Sequence, residues 1–157
     1  MHTPNLSVLN LWKSFIQHNP KYATNPTPPY FHFCDNEQDA NLCAALVMQN
    51  IKQATAPSMW WYEHHNEPMP KVGDLFIVTD WHGVAKAIIE ITKMEQVRFT
   101  DVTEAFAQVE GEGDKSLAFW RKVHQDYYSR EMKKAGAYFK EDMLISCEYF
   151  RTLLTVE

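Results

Sequence analysis

Hydrophobic residues recur along the chain with two different periods, and these periods predict where the helices and strands lie. Steps of three and four residues predict four helices, over residues 7–17, 37–50, 101–110 and 116–135. Ser7 is the expected N-cap of the first helix, and Asp101 and Glu104 have the spacing of a capping box. Gly136 is in the position of a C-terminal cap for the longest helix.

The middle of the chain changes to the composition of β-strands. Residues 75–79 and 84–92 are rich in β-branched and aromatic residues, and Gly83 lies in the short turn between them, so they predict an antiparallel hairpin. Further strands are predicted near residues 96–99 and over residues 143–153. Hairpin strands with helices gathered around them indicate an α+β fold. Because short strands leave open edges, we expect a small β-barrel with surrounding helices.

The length of 157 residues fits a single domain covering residues 1–157. Four prolines between residues 20 and 29 interrupt regular structure, and too few residues precede them to form a separate core. We therefore expect the N-terminal helix and this proline-rich connection, residues 1–29, to lie against a core formed by residues 30–155.

The overall charge limits the classes of partner. With 15 Lys plus Arg against 20 Asp plus Glu, the net charge of −5 argues against a protein that coats nucleic acid or anionic membrane. No secretory signal and no apolar run of the ~20 residues needed to span a bilayer is visible. The three cysteines, Cys34, Cys43 and Cys147, are widely spaced, which favours reduced thiols in a cytoplasmic protein without membrane association. The oligomeric state stays open.

One segment has the opposite charge. Residues 115–134 hold six basic residues against two acidic ones, a net charge of +4, with Trp120, Tyr127 and Tyr128 between them. Basic and aromatic side chains together suit stacking on single-stranded nucleic acid. The alternative is an ordinary amphipathic helix, and the period places Trp120 and at least one tyrosine in its core.

Two short stretches contain candidate chemical groups. Lys52 and Thr55 are three residues apart, so they lie on one helical face or around one turn. A buried lysine with a lowered pKa can take a proton from a hydroxyl or polarise a carbonyl, although a solvated lysine at a helix end has the same spacing. Residues 110–114 read Glu-Gly-Glu-Gly-Asp, which suits a helix boundary, a divalent-metal site, or a general acid or base at Glu110.

In combination, these stretches resemble the ASCH domain family, of the longer bacterial type. The motifs that carry the resemblance are K-x-x-T at residues 52–55, P-x-P-K-V-G-D at 68–74, F-A-x-x-E-G-E-G-D-x-S-L-x-x-W-x-x-x-H at 106–124, and C-E-Y-F at 147–150. The resemblance extends over residues 30–151. It implies a fold similar to the PUA domain, a curved β-barrel with a cleft, and an association with RNA and modified nucleosides.

The resemblance also implies specific activities. Some compact bacterial members are amidohydrolases that remove the acyl group from N4 of acetylated cytidine, using a Lys, a Thr and a Glu. Matched by motif, these catalytic residues are Lys52, Thr55 and Glu110. Longer members that resemble this chain are metal-assisted ribonucleases acting on single-stranded RNA.

The first hypothesis is therefore hydrolysis of an amide on an acylated cytosine, without a cofactor. Lys52, with its pKa lowered by burial, activates Thr55 or a water molecule, and Glu110 orients the lysine or protonates the departing amine. A flat base needs an aromatic wall, for which the candidates are Trp60, Trp61 and Tyr62.

Two other hypotheses stay open. In a ribonuclease, Lys115, Arg121 and Arg130 hold phosphate, while Glu110 or Glu112 holds a divalent metal ion. In a non-catalytic module, the cleft binds a nucleoside or an RNA end without turnover. The expected partner is a modified nucleoside or single-stranded RNA in each case.

Overall fold

A five-stranded sheet lies at the centre of the fold, and five α-helices lie around it within the residues that the computed structural model describes, 3–157. The helices are α1 (Leu6–His18), α2 (Glu37–Met48), α3 (Met59–His65), α4 (Glu104–Glu110) and α5 (Leu117–Lys133). The strands are β1 (Tyr30–Phe31), β2 (Ala54–Thr55), β3 (Leu75–Thr79), β4 (Ala85–Arg98) and β5 (Leu144–Thr155). Residues 1 and 2 of the predicted domain lie outside the described residues.

The strand order is β1-β3-β4-β5-β2, with β1 parallel to β3 and every other neighbouring pair antiparallel. The long pair of β4 and β5 has register shifts at Ile88/Ile89 and Ile91/Lys93, and such bulges bend a sheet. The α+β prediction is confirmed. In place of a barrel closed by hydrogen bonds, the sheet is open, and its edges are protected by being only two residues long.

Three apolar clusters attach the helices to this sheet. Helix α1 buries Val8, Trp12 and Phe15 against Ile77 and Ile88. Helix α2 lies over the middle of the sheet through its buried Cys43, Ala44 and Val47. Helices α4 and α5 share a third cluster with the far ends of β4 and β5, where Trp120 and Tyr128 are buried as the helical period predicts.

Most predicted elements are present, with changes at their boundaries. The hairpin of β3 and β4 is confirmed, but residues 96–98 continue β4 rather than forming a separate strand, because the bulges let the strand bend and stay paired. Asn5, not Ser7, caps α1, since its side chain accepts a hydrogen bond from the Ser7 N–H. Thr103, not Asp101, caps α4. No helix within residues 3–157 is long and apolar enough to cross a membrane.

Helix α3 is the helix that the sequence pattern missed, and the two-residue strands β1 and β2 were missed as well. Helix α3 is only seven residues long, and none of its residues is fully buried, so no apolar stripe marks it in the sequence. The Ser58 hydroxyl accepts a hydrogen bond from the Trp61 N–H at 3.0 Å and begins the helix. This short helix positions Trp61 and Tyr62 at the cavity described below.

Candidate active site

A cavity of about 520 Å³ opens on one side of the sheet, and Lys52, Thr55 and Glu110 all line it. Its volume lies within the ~300–1,000 Å³ that is usual for small-molecule sites. Of the predicted aromatic wall, Trp61 and Tyr62 line the cavity. The remaining lining includes aromatic side chains from β1, the segment just after it, β3 and β5, namely Phe31, Phe33, Phe76 and Phe150.

The other predicted binding residues are not available in the main cavity as predicted. Trp60 contacts the apolar cluster under α5 and faces a second cavity instead. Arg130 lines the main cavity, but its guanidinium is paired with Asp35 at 3.0 Å. Lys115 is exposed and is absent from the lining of either cavity.

Lys52 reaches the cavity because the chain turns sharply after α2. Asn50 has a φ of +59°, a left-handed conformation that asparagine tolerates better than most residues. The N–H groups of Ile51 and Lys52 both bond to the Leu46 carbonyl, at 2.9 and 3.1 Å. The turn therefore directs the lysine side chain inward, where its exposed fraction is 2%.

The acidic loop after α4 lies directly against this turn. Gly111 ends the helix with a φ of +76°, and a Cβ there would approach the Ile51 carbonyl oxygen to 2.3 Å. The Gln53 N–H bonds to the Val109 carbonyl at 2.9 Å. This close approach brings both glutamates of the Glu-Gly-Glu motif to the lysine.

The resulting cluster contains one ammonium group between two carboxylates. Lys52 Nζ lies 2.8 Å from Glu112 Oε2 and 3.6 Å from Glu110 Oε2, and it donates a hydrogen bond to the Ala54 carbonyl at 2.8 Å. Helix α5 contributes two further donors one turn apart. Trp120 Nε1 donates to Glu110 Oε1 at 3.0 Å, and His124 Nε2 lies 3.1 Å from Glu110 Oε2.

The charge state of Lys52 differs from the sequence-based prediction. Burial by itself lowers the pKa of Lys52, but the carboxylates of Glu112 and Glu110 outweigh burial and raise this pKa above its ordinary value. The predicted lowered pKa is therefore wrong, because the sequence does not reveal that two carboxylates lie beside the ammonium. Lys52 is a permanent cation rather than a proton acceptor.

The two glutamates are not equivalent. Burial raises the pKa of Glu110, but the stronger combined effect of His124 and Lys52 holds it well below the usual range. Burial, together with the charge of Glu110, raises the pKa of Glu112 despite Lys52. Glu112 is also the more accessible of the two, with 21% of its side chain exposed against 1% for Glu110. Glu112 is thus the carboxylate suited to proton transfer, and Glu110 is the fixed negative charge.

His124 completes the cluster, and its surroundings favour the protonated ring. Burial alone would lower its pKa, but the adjacent Glu110 carboxylate raises it above the ordinary value. Its Nδ1 lies 2.8 Å from the Trp120 carbonyl oxygen, so both ring nitrogens have acceptors. Glu112 and His124 are both part of the sequence motif at residues 106–124. Only their contacts in the folded protein show that they belong to the site and are not solvated surface residues.

Thr55 lines the same cavity on strand β2. It lies directly opposite Glu148 of β5 in the antiparallel register, so the two side chains are on one face of the sheet. Among residues 3–157, no hydrogen bond joins the Thr55 hydroxyl to Lys52 or Glu110. The hydroxyl is therefore not already engaged by either charged group.

The metal-assisted alternative can be tested against the same geometry. Ligand atoms of Glu110, Glu112 and His124 lie within 4.8 Å of one another. However, the Lys52 ammonium already lies within ion-pair distance of both carboxylates, and the Glu110 carboxylate favours the protonated form of His124, which cannot ligate. These residues do not fit a divalent ion in this arrangement.

The three cysteines are free thiols, as expected. Cys34 Sγ and Cys43 Sγ lie 3.6 Å apart at the edge of the cavity, and Cys43 Sγ lies 3.5 Å from Glu112 Oε1. The hydrogen bond with Cys34, together with burial, raises the pKa of Cys43, so this thiol is protonated and donates to Glu112.

Comparisons with known proteins identify the family and support the fold. The family model of the ASCH domain matches residues 30–154. The chain is similar to the ASCH domain from Lactobacillus crispatus JV V101, with 35% identity, a TM-score of 0.89, and 97% of each chain covered. It is also similar to protein EF3133 from Enterococcus faecalis V583, with 29% identity, a TM-score of 0.86, and coverage of 94% of this chain and 88% of that one. No curated protein matches the chain.

A bent sheet with surrounding helices and a cavity that contains a buried charged cluster defines the class as a PUA-like domain. Within that class, this chain belongs to the ASCH domain family, which is linked to RNA-binding and hydrolase functions.

Proposed function

We propose that the protein is an amidohydrolase that removes the acyl group from N4 of an acylated cytidine or a related modified nucleoside. The observation that carries this proposal is the buried Lys52 between Glu110 and Glu112, on the wall of a cavity of nucleoside size that Thr55 also lines. A fixed cation can stabilise an oxyanion, and a neighbouring carboxylate with a raised pKa can transfer the proton, so the pair supplies two functions that acyl transfer uses.

In the first step, an oxygen nucleophile, either the Thr55 hydroxyl or a water molecule, attacks the acyl carbon. Glu112 accepts the proton that the nucleophile loses, and the carbonyl oxygen becomes an oxyanion. The Lys52 ammonium stabilises that oxyanion. This assignment replaces the lysine base of the sequence-based hypothesis, because a lysine with a raised pKa has no lone pair to offer.

In the second step, the bond between the acyl carbon and N4 breaks, and Glu112 returns its proton to N4, so that cytidine leaves with a neutral amine. If Thr55 is the nucleophile, water then hydrolyses the acyl ester and releases the carboxylic acid. Glu110 does not exchange a proton in either step, since its pKa is held low and its two oxygens contact Trp120 and His124. It keeps Lys52 charged and in place.

The test is hydrolysis of N4-acetylcytidine by the purified protein, followed by chromatographic separation of cytidine from substrate. We expect Glu112→Gln to lower kcat by at least about 100-fold, the usual contribution of a general acid–base group. The matched control is Glu95→Gln, which changes a carboxylate paired with Lys93 on the outer part of β4. Wild-type turnover should fall as the pH drops through the raised pKa of Glu112, and Glu112→Gln should lack this dependence.

Thr55→Val and Thr55→Ser separate the two nucleophiles. Activity that survives in Thr55→Val indicates a water nucleophile, and activity only in Thr55→Ser indicates the hydroxyl. Full turnover in Lys52→Ala would refute the proposal. Wild-type protein that binds cytidine but hydrolyses no acylated form would identify a binding module instead.

A further inference from the structure

We propose that Glu148 is the residue that recognises the base, by accepting a hydrogen bond from an N–H donor at position 4 of a cytosine-type ring. This inference rests on the proposed function for its substrate class, although its test measures binding rather than turnover. Glu148 belongs to none of the groups that form the Lys52 cluster, and it lines the same cavity from strand β5.

Glu148 is a buried carboxylate without a cation. Its residue is 4% exposed, and no ion pair to it occurs within residues 3–157. Burying a carboxylate is costly unless donors surround it. The protein supplies two donors, Tyr62 Oη at 2.7 Å and Ser146 Oγ at 2.8 Å.

Both donors bond to the same oxygen, Oε2. Oε1 receives no hydrogen bond from the protein within the described part of the chain. Every fully buried side-chain oxygen in that part has a hydrogen-bond partner, so an oxygen without one, such as Oε1, is not fully buried. Oε1 is therefore accessible, and because Glu148 lines the main cavity, the opening is on the cavity side. The side chain is held by one oxygen and presents the other as an acceptor to whatever occupies the cavity.

The position of Glu148 determines which part of a ligand it would contact. Thr55 is its cross-strand partner, and side chains of such pairs have their Cβ atoms about 4.5–5.5 Å apart. An exocyclic N4–H donor bonded to Oε1 is thus beside the Thr55 hydroxyl. In an N4-acylated cytosine, the atom attached to the acyl carbon is N4 itself, so one bound pose satisfies both contacts.

The surrounding surface suits a flat ring. Trp61 and Tyr62 of α3 and Phe31 and Phe76 of the sheet line the same cavity. Aromatic walls contribute stacking area to any base, but they do not distinguish one base from another. An acceptor at Oε1 supplies that distinction, because cytosine has an amino donor at position 4 and uracil has an oxygen acceptor there.

The experiment compares equilibrium binding of cytidine and uridine by titration calorimetry. We expect the wild type to prefer cytidine, and Glu148→Gln to reduce the ratio of the two affinities by at least about tenfold, the effect of losing one hydrogen bond to a charged group. Glutamine can keep its oxygen towards Tyr62 and Ser146, so it turns an amide donor into the cavity. With N4-acetylcytidine, Glu148→Gln should raise KM more than it lowers kcat.

Glu90→Gln is the matched control, since Glu90 is paired with Arg151 and is absent from the cavity lining. It should keep the wild-type ratio. Tyr62→Phe provides a second test if Glu148→Gln does not fold. It keeps the carboxylate but removes one of the two donors that hold it in place, so it should also reduce the ratio of cytidine affinity to uridine affinity.

The outcomes separate this inference from the proposed function. No cytidine preference in the wild type, or an unchanged ratio in both variants, overturns the inference even if the protein hydrolyses N4-acetylcytidine. A preference that falls in Glu148→Gln supports it even if no hydrolysis occurs, and in that case only the proposed function fails.

Discussion

Replacing Lys52 with methionine tests the central feature of the site, the cation between two buried carboxylates. The substitution keeps an unbranched side chain of similar length and removes the charge. Glu110 and Glu112 then lose the ammonium group that lies 3.6 and 2.8 Å from them, and their carboxylates are left without this cation between them. We expect a large loss of stability rather than a simple loss of activity.

The magnitude follows from the distances. At an effective dielectric constant of about 20, unit charges at these separations attract by about 5 and 6 kcal/mol. Desolvation of the buried ions, several kcal/mol each, offsets much of that attraction. Removing one partner of such a cluster typically lowers the free energy of unfolding by about 3–5 kcal/mol. At about 2–4 °C per kcal/mol, Tm should fall by about 6–20 °C.

The pH dependence provides a sharper criterion. Without Lys52, the pKa of Glu112 in the folded protein rises further above its value in the unfolded chain. The stability that comes from protonated Glu112 is therefore present at low pH, and it is lost as the pH rises through the pKa of the folded protein. Urea denaturation at pH 5 and pH 8 should therefore show a larger deficit at pH 8. Lys52→Met combined with Glu112→Gln should recover part of the deficit at pH 8.

Lys93→Met is the matched control, because Lys93 is an exposed lysine that also contacts a glutamate at 2.8 Å. It should leave the unfolding midpoint close to that of the wild type. Equal midpoints for Lys52→Met and Lys93→Met, or a deficit that does not change with pH, would refute the reasoning that the carboxylates raise the pKa of Lys52.

Two further predictions concern the neighbours of this cluster. Glu110 raises the pKa of His124 against the effect of burial. The stabilising contribution of protonated His124 is therefore complete below about pH 6.5 and is lost as the pH rises through the pKa of the folded protein. Urea denaturation curves of the wild type should show this loss, and curves of His124→Gln should not. Gly111→Ala should destabilise more than Gly73→Ala, since both have positive φ but only the former brings a Cβ to 2.3 Å from the Ile51 carbonyl oxygen. Equal thermal midpoints for the two alanine variants would show that the close approach is not rigid.

Much of the scaffold can be predicted from the sequence alone. The apolar period of α1, α2 and α5 and the β-branched runs of β3 and β4 depend on local spacing, which the sequence displays directly. The ASCH motifs add the family. Features of weak local signal were missed or misassigned, among them the seven-residue helix α3 and the N-caps at Asn5 and Thr103.

The sequence by itself determined most of the secondary-structure pattern, the α+β class and the presence of Lys52, Thr55 and Glu110 as candidate residues. Only the tertiary structure decided their charge states. Two loops that are about 60 residues apart in the chain meet where Gly111 contacts Ile51, and this contact puts two carboxylates beside Lys52. Because electrostatic energy depends on distances through space, the direction of a pKa shift cannot be read from spacing along the chain. The pairing of Glu148 with Thr55 is likewise a contact through space between distant parts of the chain, and only the strand register shows it.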